Sequence, residues 1–198
     1  MGSVVEQMLH KSIEALITRN EALATEAIDM DDIVDDYNLS IENQCLRLLA
    51  LQQPMARDLR TIAGALKIIT DIERMGDYVV DIAKTARRTM EKPLFKPLAD
   101  IPTMADLVKK MLRETLEAFV SRDLKLIEHM IHHDDQVDEL NRTLRDELIE
   151  YMQDEPSVIP QAIHLLLITR YLERLADHVT NVGERVYYME TGEMKELH

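Results

Sequence analysis

This sequence predicts an all-α fold, two tandem antiparallel three-helix bundles related by an internal repeat, and three observations predict it. Five glycines and six prolines in 198 residues leave long uninterrupted segments. Those segments carry apolar residues at helical spacing, and no alternating strand pattern competes with them. The second half of the chain is written on the plan of the first, which is the signature of a duplicated supersecondary unit.

The prolines punctuate the chain. Pro54 and Pro156 follow long periodic segments, Pro160 lies just inside the next, and Pro93, Pro97 and Pro102 crowd into "EKPLFKPLADIPT". Proline is tolerated in the first turn of a helix and breaks its interior, so these positions mark helix starts and one linker. Asn20 in "TRNEAL" and Asp123 in "SRDLKL" stand where each can cap the helix after it. Six helices are predicted, at about 4–19, 21–53, 55–90, 103–121, 124–154 and 157–190. The repeats span residues 1–92 and 103–198, with residues 93–102 a semi-rigid proline-rich linker between them.

Laying residues 13–38 over 116–141 matches Arg19 with Arg122, Leu23 with Leu126, Asp31 with Asp134, Asp35 with Asp138 and Asn38 with Asn141. The third helices then align through Glu73-Arg74 and Glu173-Arg174. Each unit is expected to close around its own core. Val34, Tyr37, Ile41, Cys45 and Leu48 form one seam of the first.

Composition limits the function classes. Lys and Arg total 23 against 37 Asp and Glu, a formal net charge of −14, so direct binding to nucleic acid is disfavoured. A single cysteine, Cys45, excludes an internal disulfide framework and suits a reducing compartment. No apolar run approaches the roughly 20 residues a membrane span requires, and a cytoplasmic location is expected.

The acidic residues carry the chemistry. In "DIERMGDYVVD" the residues Glu73, Asp77 and Asp81 climb one side of a helix, and Glu173, Asp177 and Asn181 repeat the ladder. Like charges at this spacing destabilise a helix by roughly 0.2–0.5 kcal/mol per pair. The apolar stripe of the third helix runs through Ile68, Ile72, Met75, Val79 and Ala86, and that of the sixth through Leu165, Ile168, Leu172, Leu175, Val179 and Val182. The acids continue a second flank, begun by Ile62 and Leu66 in one half and Leu166 in the other, that is a candidate for packing between bundles or subunits. Asp31 and Asp35 on the second helix, and Asp134 and Asp138 on the fifth, form matching rows. Two facing carboxylate rows are hard ligands for Mg²⁺, Mn²⁺ or iron. A solvated acidic face is the alternative. The missing basic partner four residues from Glu73 or Asp77 and the duplication favour metal. The histidines, including His132, His133 and His178, read as surface residues, and the twelve methionines as core filler. Arg57 and Arg60 in "ARDLR" open the third helix. They suit forked hydrogen bonds to an acidic partner patch, or equally pairing with Asp58 or other acids of the chain.

Together "QPMARDLRTIAGALKIITDIERMGDYVVDIAK" and "ITRYLERLADHVTNVGERVYYMETGE" closely resemble the PhoU family, over essentially the whole chain. The resemblance implies tandem three-helix bundles and a cytoplasmic negative regulator of the phosphate-starvation response. Such a regulator couples the phosphate ABC transporter, through its ATPase, to a membrane sensor histidine kinase, and a homodimer is expected. The resemblance also implies clusters of iron or another metal such as zinc, manganese or magnesium. Their ligands would be Glu73, Asp77, Asp81, Glu173, Asp177 and Asn181, with Asp31, Asp35, Asp134 and Asp138 contributing. Ala176 stands in place of the usual glycine of the second motif and Asn181 in place of an acid, so weaker binding is expected there. The family usually begins some twenty residues earlier, so the first helix is expected to be truncated or differently extended. The leading expectation is a non-enzymatic adaptor. The alternative is a metal-dependent carboxylate-site enzyme, an oxidase or phosphohydrolase.

Overall fold

The computed structural model describes residues 1–197 and contains α1 (Gly2–Thr18), α2 (Glu21–Asp29), α3 (Asp31–Gln52), α4 (Arg57–Thr89), α5 (Asp100–Ser121), α6 (Lys125–Asp154), a 3₁₀ turn over Pro156–Val158, and α7 (Ile159–Thr191). No strand occurs among the described residues, and none of the helices is long and apolar enough to cross a membrane. The Asn20 carboxamide caps α2, accepting from the Ala22 N–H at 3.0 Å, and Asp123, one residue before the N-cap Leu124 of α6, accepts from the Lys125 N–H at 3.0 Å. Pro102 lies inside the first turn of α5, which starts at Asp100, before the position predicted. The helix predicted over residues 21–53 is interrupted at Met30, within a run of aspartates poor in helix propensity, and becomes α2 and α3.

Each half is an up-down-up bundle. Ser12 reaches the Val79 carbonyl and Arg19 the Met90 carbonyl, so α1 runs parallel to α4, with α3 returning between them. The halves meet through α4 and α7, antiparallel along their length: Arg57 pairs with Glu190, Asp71 with His178, and the Gln161 amide with the Thr89 carbonyl. A Cβ on Gly64 would stand 2.3 Å from the Met189 sulfur, so glycine there allows the two helices to close. Arg113 pairs with Glu6 and Leu116 lies against Gly2, so α5 runs antiparallel to α1. The molecule therefore has a pseudo-twofold axis crossing the α4–α7 seam.

The apolar stripes predicted for α4 and α7 are all buried, and Met8, Met75, Met104, Met111 and Met130 are fully so. Instead of two separate cores, one contiguous cluster runs from Val5, Met8 and Val79 through Val108 and Met111 to Leu172 and Val182. The seam between halves is built from Gly64, Asp71 and Tyr78 of α4 against Met189, His178 and Tyr171 of α7. Ile62 and Leu66 lie on the side of α4 away from Gly64 and α7, whereas Leu166 packs against the shared core.

The seam predicted for the first core is only partly formed. Val34 and Cys45 are buried, Ile41 is half-buried, and Tyr37 and Leu48 are 47% and 46% exposed. In the second half the linker lies across the end of α6: Phe95 packs edge-on to Tyr151 at 5.3 Å, Lys96 pairs with Glu147, and Leu144 and Leu148 are buried beneath. Among the described residues nothing covers the matching end of α3. Leu46, Leu48 and Leu51 there are exposed.

Candidate functional site

The acidic rows are set by helix register. Residues 71–80 and 171–180 share one pattern of burial, with Glu73, Asp77, Glu173 and Asp177 half-buried and Arg74 and Arg174 exposed. On α3, Asp31 and Val34 lie against the backbone of α4. A Cβ on Gly76 would stand 3.1 Å from Asp31 Oδ1 and 3.4 Å from Val34 Cγ1. Glycine at this position lets the Asp31 carboxyl settle beside Glu73 and Asp77. In the second half the corresponding Ala176 is itself buried.

The predicted juxtaposition of rows is present. Burial pushes the Asp31 carboxyl up to about 6 from 3.8, reinforced by Asp35, Asp77, Asp32 and Glu73. Burial likewise raises Glu73, with Asp77 and Asp35 adding to it and Arg74 opposing. In the second half Glu173 is raised by burial, lowered by Arg170 and Arg174, and raised by Asp177 and Asp138. Asp134 stands half-buried one turn before Asp138 on α6. Asp35 and Asp77 in the first half lie within electrostatic range of both Asp31 and Glu73, and Asp138 and Asp177 in the second lie within range of Glu173. Among the described residues no three His, Cys, Asp or Glu side chains converge closely enough to hold a metal ion as they stand.

Arginines occupy the rows instead. Arg74 donates to Asp77 at 3.0 Å and lies 3.7 Å from Glu73, while Arg174 donates to Asp177 at 3.0 Å and Arg170 pairs with Glu173. A search for bases four residues away from the acids misses them. The useful signal is a base three residues before the acid.

The ends of the two ladders diverge. Asp81, with Asp31, Asp77, Arg74 and Lys84, lines an open cavity of about 370 Å³. Asn181 turns to the seam, where its amide donates to Asp71 Oδ1 at 3.4 Å. The same oxygen lies 2.9 Å from His178 Nδ1, so His178 is a seam residue and not the surface histidine the sequence suggested. Its ring stacks on Tyr78 at 5.7 Å, and Tyr78 lies 6.1 Å from Tyr171. The pseudo-twofold axis maps Asp71, His178 and Asn181 onto Tyr171, Tyr78 and Asp81. A histidine–carboxylate hydrogen bond thus stands on one side and a pair of phenols on the other. Burial and the nearby Asp81 raise the Tyr171 hydroxyl, against Arg88.

Arg57 and Arg60 stand at the end of α4 nearest the C-terminus of α7. Arg57 pairs with Glu190, to which Arg122 also approaches at 3.7 Å. The Arg60 guanidinium lies over Gly192, and its buried Nε has no hydrogen-bond partner. The acid that engages Arg57 is therefore Glu190, not Asp58.

The Asp31 environment predicts an inverted pH response. Its folded value exceeds the unfolded one, so the cost of its charge is absent below about 4, accumulates to about 6 and is fully present above that. Asp31→Asn is expected to stabilise the metal-free protein at pH 7.5 by about 1–2 kcal/mol, after discounting for solvent screening, and to do nothing at pH 4. Urea titrations at the two pH values measure both, and an equal effect at both removes the assignment.

Comparison with known proteins agrees with the geometry. The sequence model of the PhoU domain matches twice, over residues 1–86 and 101–186. The chain is 39% identical over 198 residues to a phosphate-specific transport system accessory protein PhoU homolog of Clostridium acetobutylicum, covering 100% of this chain and 90% of that one. It is 41% identical to one of Aquifex aeolicus, covering 98% and 88%. The crystal structure of PhoU from Pseudomonas aeruginosa superimposes with a TM-score of 0.93 at 32% identity, covering 98% of this chain and 93% of that one. For the phosphate transport system regulatory protein PhoU from Streptococcus pneumoniae the score is 0.90 at 32% identity, covering 98% and 91%. With both repeats matched and the whole fold shared, this chain belongs to the PhoU family.

Proposed function

We propose that this protein is a cytoplasmic, non-enzymatic accessory regulator of phosphate-specific transport. It docks on the ATPase of the transporter and couples it to a sensor histidine kinase. The observation that carries the reading is family membership along the whole chain, together with the doubled acidic rows. The residues that would hold metal are Asp31, Asp35, Glu73, Asp77 and Asp81 in the first half. In the second they are Asp134, Asp138, Glu173 and Asp177, with Asn181 drawn off to the seam. Their donors are all oxygen, which suits Mg²⁺, Mn²⁺ or iron better than Zn²⁺. Burial is the main cause of the raised Asp31, Glu73 and Glu173 carboxyls; at Asp31 and Glu73 the neighbouring acids add negative charge that Arg74 does not fully neutralise, whereas at Glu173 Arg170 is the largest charged neighbour. A bound cation would supply that neutralisation and tie α3 to α4. For metal to bind, Arg74 must release Asp77.

Arg57 and Arg60 stand together at one end of the molecule, and a role in docking would require Arg57 to exchange Glu190 for an acid of the partner. Arg57→Ala/Arg60→Ala is expected to fold and to retain less transporter ATPase in a pull-down than the wild type. Undiminished retention by the folded variant takes these residues out of the interface. The exposed apolar end of α3 supports a homodimer, which sedimentation at micromolar concentration tests directly. A single monomeric species across the concentration range would overturn it.

A further inference from the structure

At the opposite end of the seam, the C-terminus of α4, the linker and the start of α7 line a second open cavity of about 370 Å³, within the range of small-molecule sites. In a chain of net charge −14 its lining is unusual: Arg88, Lys92 and His164 face it, and Glu91 is the only acid among the described lining residues. The neighbouring cations are consumed by structure, Arg87 by Glu21 and Lys96 by Glu147. Arg88 and Lys92 have no ion-pair partner among the described residues, and they flank the cavity. Phe95, Pro93 and Pro160 supply an apolar wall.

The walls are held in place. The Gln161 amide donates to the carbonyls of Thr89 at 3.3 Å, Lys92 at 3.3 Å and Pro93 at 3.2 Å, and its oxygen accepts from the Phe95 N–H at 3.1 Å. One half-buried carboxamide thus fixes the chain that carries Lys92 and Phe95 against α7, so the cavity exists before any ligand arrives. Unpaired guanidinium and ammonium groups beside apolar surface match a ligand with an anionic head and a flat apolar body.

We propose that this cavity binds a small organic phosphate of the nucleotide class. Its phosphate meets Arg88, Lys92 and His164, and its ring lies against Phe95 and the prolines. Because Lys92 belongs to the segment leaving α4 and His164 to α7, the ligand bridges the two halves.

Calorimetric titration of the intact protein with AMP at low ionic strength, with inorganic phosphate in parallel, tests this. AMP is expected to bind saturably, to shift the amide resonances of residues 88–95 and 157–164, and to bind more tightly than phosphate. Arg88→Ala/Lys92→Ala is expected to weaken AMP binding by about tenfold or more while leaving the ligand-free melting temperature unchanged, since neither side chain has an ion-pair partner to lose. Absence of saturable AMP binding, or equal affinity in the variant, overturns the site. Phosphate binding as tight as AMP, with the Phe95 resonance unmoved, overturns the assignment to an organic phosphate.

Discussion

Leu172→Ala is expected to destabilise the protein by about 2–5 kcal/mol and to do so in one transition. Leu172 is fully buried in the cluster shared by both halves. Truncation removes its transfer free energy and leaves a cavity that the packed helices fill only in part. For a chain of this length the melting temperature falls by about 2–4 °C per kcal/mol. Because α4 and α7 belong to one core, the loss is felt by residues of both repeats. Calorimetric and van't Hoff enthalpies should agree in the wild type and in the variant. Two resolved transitions, with only one of them moved by Leu172→Ala, would mean that the repeats fold as independent domains.

The second large effect concerns metal. Chelated wild-type protein is expected to gain about 2.7 kcal/mol when Mn²⁺ or Fe²⁺ is added at a hundredfold excess over its dissociation constant. Glu73→Gln should lose most of that increment. Without metal the same variant should match or slightly exceed the wild type, because burial and Asp77 already disfavour the Glu73 charge. Glu173→Gln should show the same reversal with a smaller amplitude. Arg170 and Arg174 both offset Glu173, and Asn181 is held at the seam by Asp71. Thermal melts of the three proteins, first chelated and then titrated, distinguish the readings. Equal metal-induced shifts in all three would show that the acidic rows are a solvated face closed by arginines.

Much of the fold was legible because its determinants are local. The stripes through Ile72, Met75 and Val79 and through Leu172, Leu175 and Val179 are fixed by helical period, and all are buried. Asn20 caps α2, and Asp123 binds the first amide of α6, because such bonds reach only neighbouring amides. Repetition made the acidic rows visible, and with them the expectation that Asp31 and Asp35 could face Glu73 and Asp77. The exposure of Tyr37 and Leu48 was not legible. It depends on whether another segment covers the end of α3, as Phe95 and Lys96 cover the end of α6.

The residues at the seam show where sequence reading stops. By itself the sequence determined an all-helical chain, its duplication, the faces each helix buries and the acids that share a side, since each follows from spacing along one helix or from comparison of the two halves. Only the tertiary structure decided which faces meet. His178 and Asp71 lie 107 residues apart and touch because α4 and α7 run antiparallel, and the same pairing took Asn181 from the acidic row. It also merged two expected cores into one and set Arg88 and Lys92 beside a cavity. The physical reason is that helical period fixes a side chain's direction to within a turn. Its partner is fixed by the packing of the other helices, whose energy is spread over many small contacts that no short stretch of sequence contains.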